Sequence, residues 1–149
     1  TVFTCKELEK LSEFCLKHNL TICSDEIHAD LLISPNAKHI PIASLNEAIA
    51  QKSITLMAPS KTFNIAGLQA SFAIIPNDTL RRSFSHTMGS MVGGVNLLGL
   101  CALKAAYKEG DAWLYALRSY LAENLSLVHD FIAKNPKLKL LEQETTFLA

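Results

Sequence analysis

The sequence predicts an α/β fold in which a mainly parallel sheet is flanked by helices. Two segments, 4–24 and 44–58, carry this prediction, because in each a helical pattern leads into a short run of buried, strand-like residues. Helix followed by buried strand is the repeating unit of parallel sheets, whose strands need long crossover connections. A chain of 149 residues, 49% of them hydrophobic, is long enough to form a domain with its own core.

The composition excludes several classes of partner and site. Fourteen acidic residues balance fourteen basic ones, so we expect neither nucleic acid nor an anionic membrane as a partner. No apolar run approaches the roughly 18 residues of a membrane-spanning helix. The four cysteines form no CxxC pair and lie among apolar neighbours, which predicts reduced core thiols in a cytoplasmic protein. The five histidines are too widely spaced to indicate a zinc site.

The first helix is predicted to begin with a capping box formed by Thr4 and Glu7 and to run to about residue 18. Asn19 is a residue type that readily adopts the left-handed conformation at a helix end. A buried strand is predicted over 20–24. The apolar residues at helical spacing, which we expect to face the core, are Leu8, Leu11 and Cys15.

A second capping box is predicted at residues 44–47, followed by a short helix that ends near Gln51. Strands are predicted over 54–58 and 70–75, and another helix begins at Pro76 and ends near His86. The next segment, MGSMVGG, contains three glycines and is predicted to be a loop.

The last third of the chain is predicted to be mostly helical. One helix covers 96–109 and ends at Gly110, and Asp111 caps a longer helix that reaches Lys134. The tail, 137–149, is strand-like and has no evident partner in this chain. Because the sequence starts at Thr1 and stops inside this strand-like run, we expect it to be a piece of a longer protein.

Polar residues follow two predicted strands at their carboxyl ends: Asp25 after the first, and Ser60 with Lys61 after the second. Ligands bind outside these ends in open α/β sheets. An isolated Lys61 reads as an ordinary loop lysine, and with Asp25 it could form a structural ion pair. The two are also the pair that pyridoxal 5'-phosphate requires, a lysine that attaches the cofactor and a carboxylate that keeps its ring nitrogen protonated.

Two longer motifs, SDEIHADL (24–31) and APSKTFNIAGL (58–68), resemble the fold-type-I pyridoxal-phosphate aminotransferase superfamily of classes I and II. They look most like its cystathionine β-lyase, or C–S lyase, branch. Segments 110–124 and 144–148 are similar too. The resemblance implies an internal fragment of the superfamily's large domain. Its parts would be a partial cofactor-binding domain over 1–110, a long inter-domain helix over 111–135, and the start of a small domain over 136–149.

The resemblance also implies roles for single residues. Lys61 matches the catalytic lysine that attaches the cofactor, and Asp25 matches the partner of the pyridine nitrogen. Ser60 matches a hydroxyl that contacts the cofactor phosphate. His28 occupies the position where many aminotransferases have a tyrosine bonded to the phenolic oxygen, although by itself it would read as a structural histidine. Gln69 departs from the pattern, because many aminotransferases have a phosphate-binding arginine there.

Three hypotheses follow from the resemblance. The first is a cytoplasmic, homodimeric C–S β-lyase that acts on cystathionine-like amino acids. The second is an aminotransferase with the same cofactor, and His28 favours the lyase over it. The third is that the 149 residues alone form a catalytically inactive α/β fragment, because the phosphate-binding helix and the substrate-binding arginine of the superfamily have no match in this sequence.

Overall fold

The computed structural model describes residues 2–148, and their helices and sheet confirm the predicted α/β class. The sheet has three strands, β1 (Ile22–Asp25), β2 (Ser53–Met57) and β3 (Phe72–Ile74). Two short 3-10 helices cover Ile42–Ser44 and Ala66–Leu68. The α-helices are α1 (Cys5–Lys17), α2 (Glu47–Ala50), α3 (Asp78–Met91), α4 (Leu97–Glu109) and α5 (Asp111–Ala133).

The described sheet is mixed, with the strand order β1-β2-β3. β1 and β2 are parallel, as expected, and their register places Asp25 beside Leu56. β3 runs antiparallel to β2. The expectation of a mainly parallel sheet therefore holds for only one of these two pairs. The β2–β3 connection, residues 58–71, contains only a 3-10 helix and lacks the α-helix that usually forms a parallel crossover.

Helix α1 begins and ends as predicted, but its buried face is rotated. The Thr4 hydroxyl accepts from the Glu7 amide at 3.3 Å, and the Thr4 amide donates to the Glu7 carboxylate at 2.7 Å, which completes the capping box. Asn19 has the expected positive φ, 54°. The prediction for Leu11 is wrong, since it is 42% exposed and Ser12 is buried instead. Positions 8, 12 and 15 share the core-facing side of the helix.

The core under α1 is formed by the buried residues Leu8, Cys15, Ile42 and Ile49. Of the four cysteines, only Cys15 belongs to it, and Cys5, Cys23 and Cys101 are exposed. All four thiols are free, but the prediction that they are core thiols is wrong for three. Cys23 illustrates the cause: alternate residues of β1 face opposite ways, and its neighbours Ile22 and Ser24 take the more buried positions.

Three predicted helix ends also differ from the structure. The cap of α2 is Asn46, whose side chain accepts from the Ile49 amide at 3.0 Å, because Ser44 lies inside the preceding 3-10 helix. Helix α3 continues five residues past His86 to Met91, so the loop predicted for MGSMVGG is wrong in its first half. A single glycine costs a helix only about 1 kcal/mol, which is why Gly89 does not end it. Asp111 is the first residue of α5 and makes no cap.

Among the helices of residues 2–148, none is both long and apolar enough to cross a membrane.

Candidate active site

The site lies at the edge of the sheet where the parallel strands β1 and β2 both end. Asp25 is the last residue of β1 and pairs with Leu56 in register. The chain continues from Met57 through the buried Ala58 and Pro59 into the turn that carries the predicted pair Ser60 and Lys61. Because parallel strands end at the same edge of a sheet, the two motifs converge in space, as expected.

The turn that carries Lys61 is fixed by backbone hydrogen bonds. The Phe63 amide donates to the Pro59 carbonyl at 2.9 Å, and the Ile65 amide donates to the Ser60 carbonyl at 3.2 Å. Thr62, next to Lys61, is fully buried. In the part of the chain that the structure describes, the half-buried Lys61 amine forms neither a hydrogen bond nor a salt bridge. The scaffold therefore presents an unpaired amine on a fixed backbone.

Helix α5 ties the two motifs together. The indole Nε1 of Trp113 donates to the Thr62 carbonyl at 3.1 Å, beside Lys61. Five residues further along α5, the guanidinium of Arg118 donates from Nε to the Asp30 carbonyl at 2.7 Å. The Thr62 hydroxyl in turn donates to the Asp30 carboxylate at 3.4 Å. Sequence reasoning missed Arg118, because nothing in its neighbours along the chain indicates a partner 88 residues away.

His28 lies close to both charged residues of the predicted pair. Burial lowers the pKa of its imidazole, the positive charge of Lys61 lowers it further, and the negative charge of Asp25 partly opposes them. The imidazole Nδ1 lies 2.9 Å from the Thr146 hydroxyl. The ring of Phe147 packs edge-on against His28, with 5.6 Å between ring centroids. His28 is therefore held from the carboxyl-terminal tail, and its Nε2 has no hydrogen-bond partner within residues 2–148.

The tail has a partner in this chain, contrary to expectation. Thr145 forms an isolated antiparallel bridge with Leu32, and its hydroxyl donates to the Leu31 carbonyl at 2.7 Å. The Ile33 amide donates to the Glu144 carbonyl at 2.9 Å. The strand predicted over 137–149 is thus reduced to a single bridge within the described residues, because the 31–33 segment beside it is itself irregular. Ala149 lies outside the described residues.

Next to Asp25, the carboxylate of Glu26 points into the protein. It accepts from the Ser24 hydroxyl at 3.0 Å and lies 2.7 Å from Nε2 of His39. The Glu26 amide donates to the Leu56 carbonyl at 3.0 Å and so extends the pairing with β2. The Asp25 side chain is exposed, and one of its carboxylate oxygens accepts from the Ile27 amide at 3.3 Å. Sequence reasoning gave Glu26 no role. Because side chains alternate between the two faces of a strand, its position after Asp25 could have indicated that the Glu26 side chain points inward.

Two cavities meet the predicted residues. Ser60 and Lys61 line a cavity of about 620 Å³ whose other walls are mostly apolar side chains of α5, with Phe147. Asp25 and His28 line a second cavity of about 430 Å³. Neighbouring tail residues contribute to both, Phe147 to the first and Thr146 to the second. Gln69 is exposed at the end of a 3-10 helix and lines neither cavity.

The arrangement provides four different functional groups at one edge of the sheet. An unpaired amine can attack a carbonyl carbon, and a carboxylate can hold a proton on a ring nitrogen. A hydroxyl and an imidazole can donate hydrogen bonds to anionic oxygens. Within residues 2–148, no three His, Cys, Asp or Glu side chains are grouped so that they could bind a metal ion. The functional groups that the described residues bring together are thus an amine, an acid and hydrogen-bond donors.

The chain resembles known proteins over its whole length. Residues 1–149 match the family model described as aminotransferase class I and II. Cystathionine beta-lyase PatB of Bacillus subtilis (strain 168) is 43% identical over 145 residues, which cover 96% of this chain and 37% of PatB. The crystal structure of OvoB is 46% identical with a TM-score of 0.95, over 99% of this chain and 39% of OvoB.

Cystalysin from Treponema denticola, whose crystal structure contains pyridoxal 5'-phosphate, is 37% identical with a TM-score of 0.94. That match covers 98% of this chain and 37% of cystalysin. The chain thus spans between 37% and 39% of the length of each relative. The resemblance inferred from the two motifs is confirmed, both for the fold-type-I superfamily and for its cystathionine β-lyase branch. The chain belongs to the aminotransferase class I and II family.

Proposed function

We propose that the protein containing this chain is a pyridoxal-phosphate-dependent C–S β-lyase that acts on cystathionine-like amino acids. The observation that carries the proposal is the unpaired amine of Lys61, fixed at the same sheet edge as Asp25 and His28. The identity of 43% to a cystathionine β-lyase favours the lyase reaction over other reactions of the family.

The groups at this edge suit pyridoxal phosphate in number and chemistry. The Lys61 amine would bind its aldehyde carbon, and the Asp25 carboxylate, exposed beside the end of β1, would accept a hydrogen bond from its protonated ring nitrogen. The Nε2 of His28, which bonds to nothing in the described residues, would contact the phenolic oxygen. Ser60 would donate to the phosphate. Gln69 carries no charge for that phosphate, so Ser60 would share it with groups outside this chain.

When bound, pyridoxal phosphate supplies a conjugated ring that accepts the electron pair left at the substrate α-carbon. Lys61 would hold the cofactor and then take the α-proton of the substrate on its Nζ. Asp25 would keep the ring nitrogen protonated, since a carboxylate beside a pyridine nitrogen favours its cationic form. The apolar side chains of α5 that line the cavity beside Lys61 would limit the access of water to this amine.

An aminotransferase is the second candidate. It is supported by the family description, which covers aminotransferases of classes I and II. Both reactions need the same groups of this chain, because both begin with removal of the α-proton by a lysine. They differ in products: the lyase releases a thiol with pyruvate and ammonia, and the aminotransferase leaves the amino group on the cofactor.

The organisation of the whole protein is also part of the proposal. Residues 1–110 would belong to the cofactor-binding domain, 111–135 to an inter-domain helix, and 136–149 to the start of the small domain. Helix α5, with 23 residues, supports this assignment, since at 1.5 Å per residue it is roughly 35 Å long. The enzyme would be a cytoplasmic homodimer. The isolated 149 residues would be inactive, because they span only part of the relatives' length.

The test uses the full-length protein with cystathionine and pyridoxal phosphate. Wild type should release free thiol and pyruvate, and borohydride should fix the cofactor covalently to the peptide that contains Lys61. Lys61→Ala should abolish both results. Lys104→Ala, at an exposed lysine of α4, is the matched control and should behave like wild type. Transamination without thiol release would contradict the lyase proposal, and covalent fixation in Lys61→Ala would contradict the role of Lys61.

A further inference from the structure

We infer that Thr146 is a positioning residue, whose hydroxyl donates to Nδ1 of His28 and leaves Nε2–H as the ring's free donor. The contact joins residues 118 positions apart, with 2.9 Å between the hydroxyl oxygen and Nδ1. The inference rests on the proposed function, because it concerns the nitrogen that His28 would offer to the cofactor. Its structural part can be tested without any cofactor.

The backbone of Thr146 has an unfavourable conformation. Its φ is 67°, in the left-handed region, which is a true outlier for a β-branched residue. Such a conformation persists only where the surroundings fix it. Here the Thr146 amide donates to the Leu31 carbonyl at 2.7 Å, and the Gln143 side-chain amide donates to the Thr146 carbonyl at 3.2 Å. Both backbone polar groups are therefore held while the side chain contacts His28.

The imidazole ring of His28 is held in place by two consecutive residues. Thr146 contacts its Nδ1, and Phe147 packs edge-on against the ring at 61° between planes. A ring restrained at one nitrogen and along one side has little freedom to turn over and exchange Nδ1 with Nε2. The orientation of His28 is thus set by the tail rather than by the turn that carries it.

The proposed direction of the hydrogen bond is the one that gives Nε2 a proton for an anionic oxygen. A neutral imidazole has one N–H donor and one acceptor nitrogen, whereas a threonine hydroxyl can do either. Burial and the charge of Lys61 lower the pKa of His28, which favours the neutral ring at neutral pH. If Thr146 donates to Nδ1, the proton lies on Nε2, where it can bond an anionic oxygen. In the opposite arrangement Nε2 would carry a lone pair and repel that oxygen.

The first experiment measures the tautomer of His28 by 15N NMR of the full-length protein with labelled histidine and without cofactor. His28→Gln identifies the His28 signals. Wild type and Thr146→Ser should both show the proton on Nε2, because serine keeps the hydroxyl. Thr146→Val should redistribute it between the two nitrogens. A proton on Nδ1 in wild type, or unchanged His28 signals in Thr146→Val, would overturn the inference.

The second experiment measures the dissociation constant for pyridoxal phosphate and the absorption band of the bound cofactor. Thr146→Val should weaken binding roughly threefold to tenfold, the effect of one hydrogen bond, and shift the band. Thr146→Ser should restore both values. Thr79→Val, at an exposed threonine of α3, is the matched control and should change neither. A Thr146→Val variant that lowers only thermal stability, with unchanged cofactor band and affinity, would indicate a purely structural role and overturn the inference.

The two proposals can fail separately. If Lys61 does not bind the cofactor, the proposed function fails, and the tautomer of His28 is still decided by NMR. If NMR finds the His28 proton on Nδ1 while borohydride still fixes the cofactor to Lys61, only the role of Thr146 fails.

Discussion

The carboxylate of Glu26 and the Nε2 of His39 lie 2.7 Å apart, and the Glu26 side chain is only 5% exposed. A buried carboxylate is tolerated when it is hydrogen-bonded and paired, and here Ser24 and His39 provide the contacts. Since Glu26 directly follows Asp25, the pair fixes the backbone from which Asp25 projects. Glu26 and His39 also line the same cavity as Asp25 and His28, so their contact belongs to the wall of the site.

His39→Ala should destabilise the protein by about 1–3 kcal/mol, because it leaves a buried carboxylate oxygen without its partner. The measurement is urea unfolding of the full-length protein. His86→Ala, at an exposed histidine of α3, is the control and should have a much smaller effect. Equal unfolding midpoints for the two variants would mean that the Glu26–His39 contact contributes nothing to stability.

Trp113→Phe should loosen the turn that carries Lys61. Phenylalanine keeps an aromatic ring but cannot donate to the Thr62 carbonyl, and one such bond contributes about 1 kcal/mol. Amide hydrogen exchange over residues 60–65 should become faster, and the affinity for pyridoxal phosphate should fall. Tyr115→Phe, on an exposed part of the same helix, should leave exchange in the turn unchanged. Equally fast exchange in both variants would contradict the role of the Trp113–Thr62 hydrogen bond in holding this turn.

Gly110→Ala should destabilise the junction of α4 and α5. A methyl group at Gly110 would overlap the Ala106 carbonyl and the ring of Phe63, which packs on Tyr107. Overpacking of this kind costs about 1–3 kcal/mol. The free energy of unfolding is the measurement, with Gly67→Ala as the matched control, since nothing lies within 4 Å of a methyl group there. A smaller loss for Gly110→Ala than for Gly67→Ala would refute the steric explanation.

Stability should fall in mild acid through His28. Its pKa in the folded protein lies below the ordinary value of 6.5, so the unfolded chain binds a proton first as the pH falls. The contribution of His28 is therefore complete above pH 6.5 and is lost as the pH drops from 6.5 to the lowered pKa. The unfolding midpoint of His28→Gln, measured across this range, should depend less on pH than that of wild type. Identical pH dependence in the two proteins would contradict this prediction.

Much of the local structure could be predicted from the sequence, because local interactions determine it. The capping box of Thr4 and Glu7 starts α1, and Asn19 takes the left-handed conformation just after α1 ends. Gly110 separates α4 from α5. The positions of Asp25 and Lys61 at one sheet edge were predictable for a related reason. Each follows a short apolar strand, and parallel strands end on the same side of a sheet.

The predictions from sequence failed where two local signals are similar in strength. They also failed where a helix face or a strand direction depends on residues that are distant in sequence. Ser44 and Asn46 are both good helix caps, and only the preceding 3-10 helix makes Asn46 the cap of α2. Leu11 fits the helical stripe as well as Ser12 does, but the buried side of α1 is the one with Ser12, where Leu8 and Cys15 join Ile42 and Ile49 in the core. The direction of β3 is set by its pairing with β2, which its own residues do not indicate.

The sequence by itself determined the family, the α/β class, and the two motifs that carry Asp25, His28, Ser60 and Lys61. It could do so because those motifs are continuous runs of residues with distinctive chemistry. Only the tertiary structure decided what holds them: Trp113 on the Lys61 turn, His39 on Glu26, and Thr146 with Phe147 on His28. Apart from Glu26 and His39, which are 13 residues apart, these partners lie 51 to 119 residues apart. No local pattern records a contact that forms only when the sheet, α5 and the tail pack together.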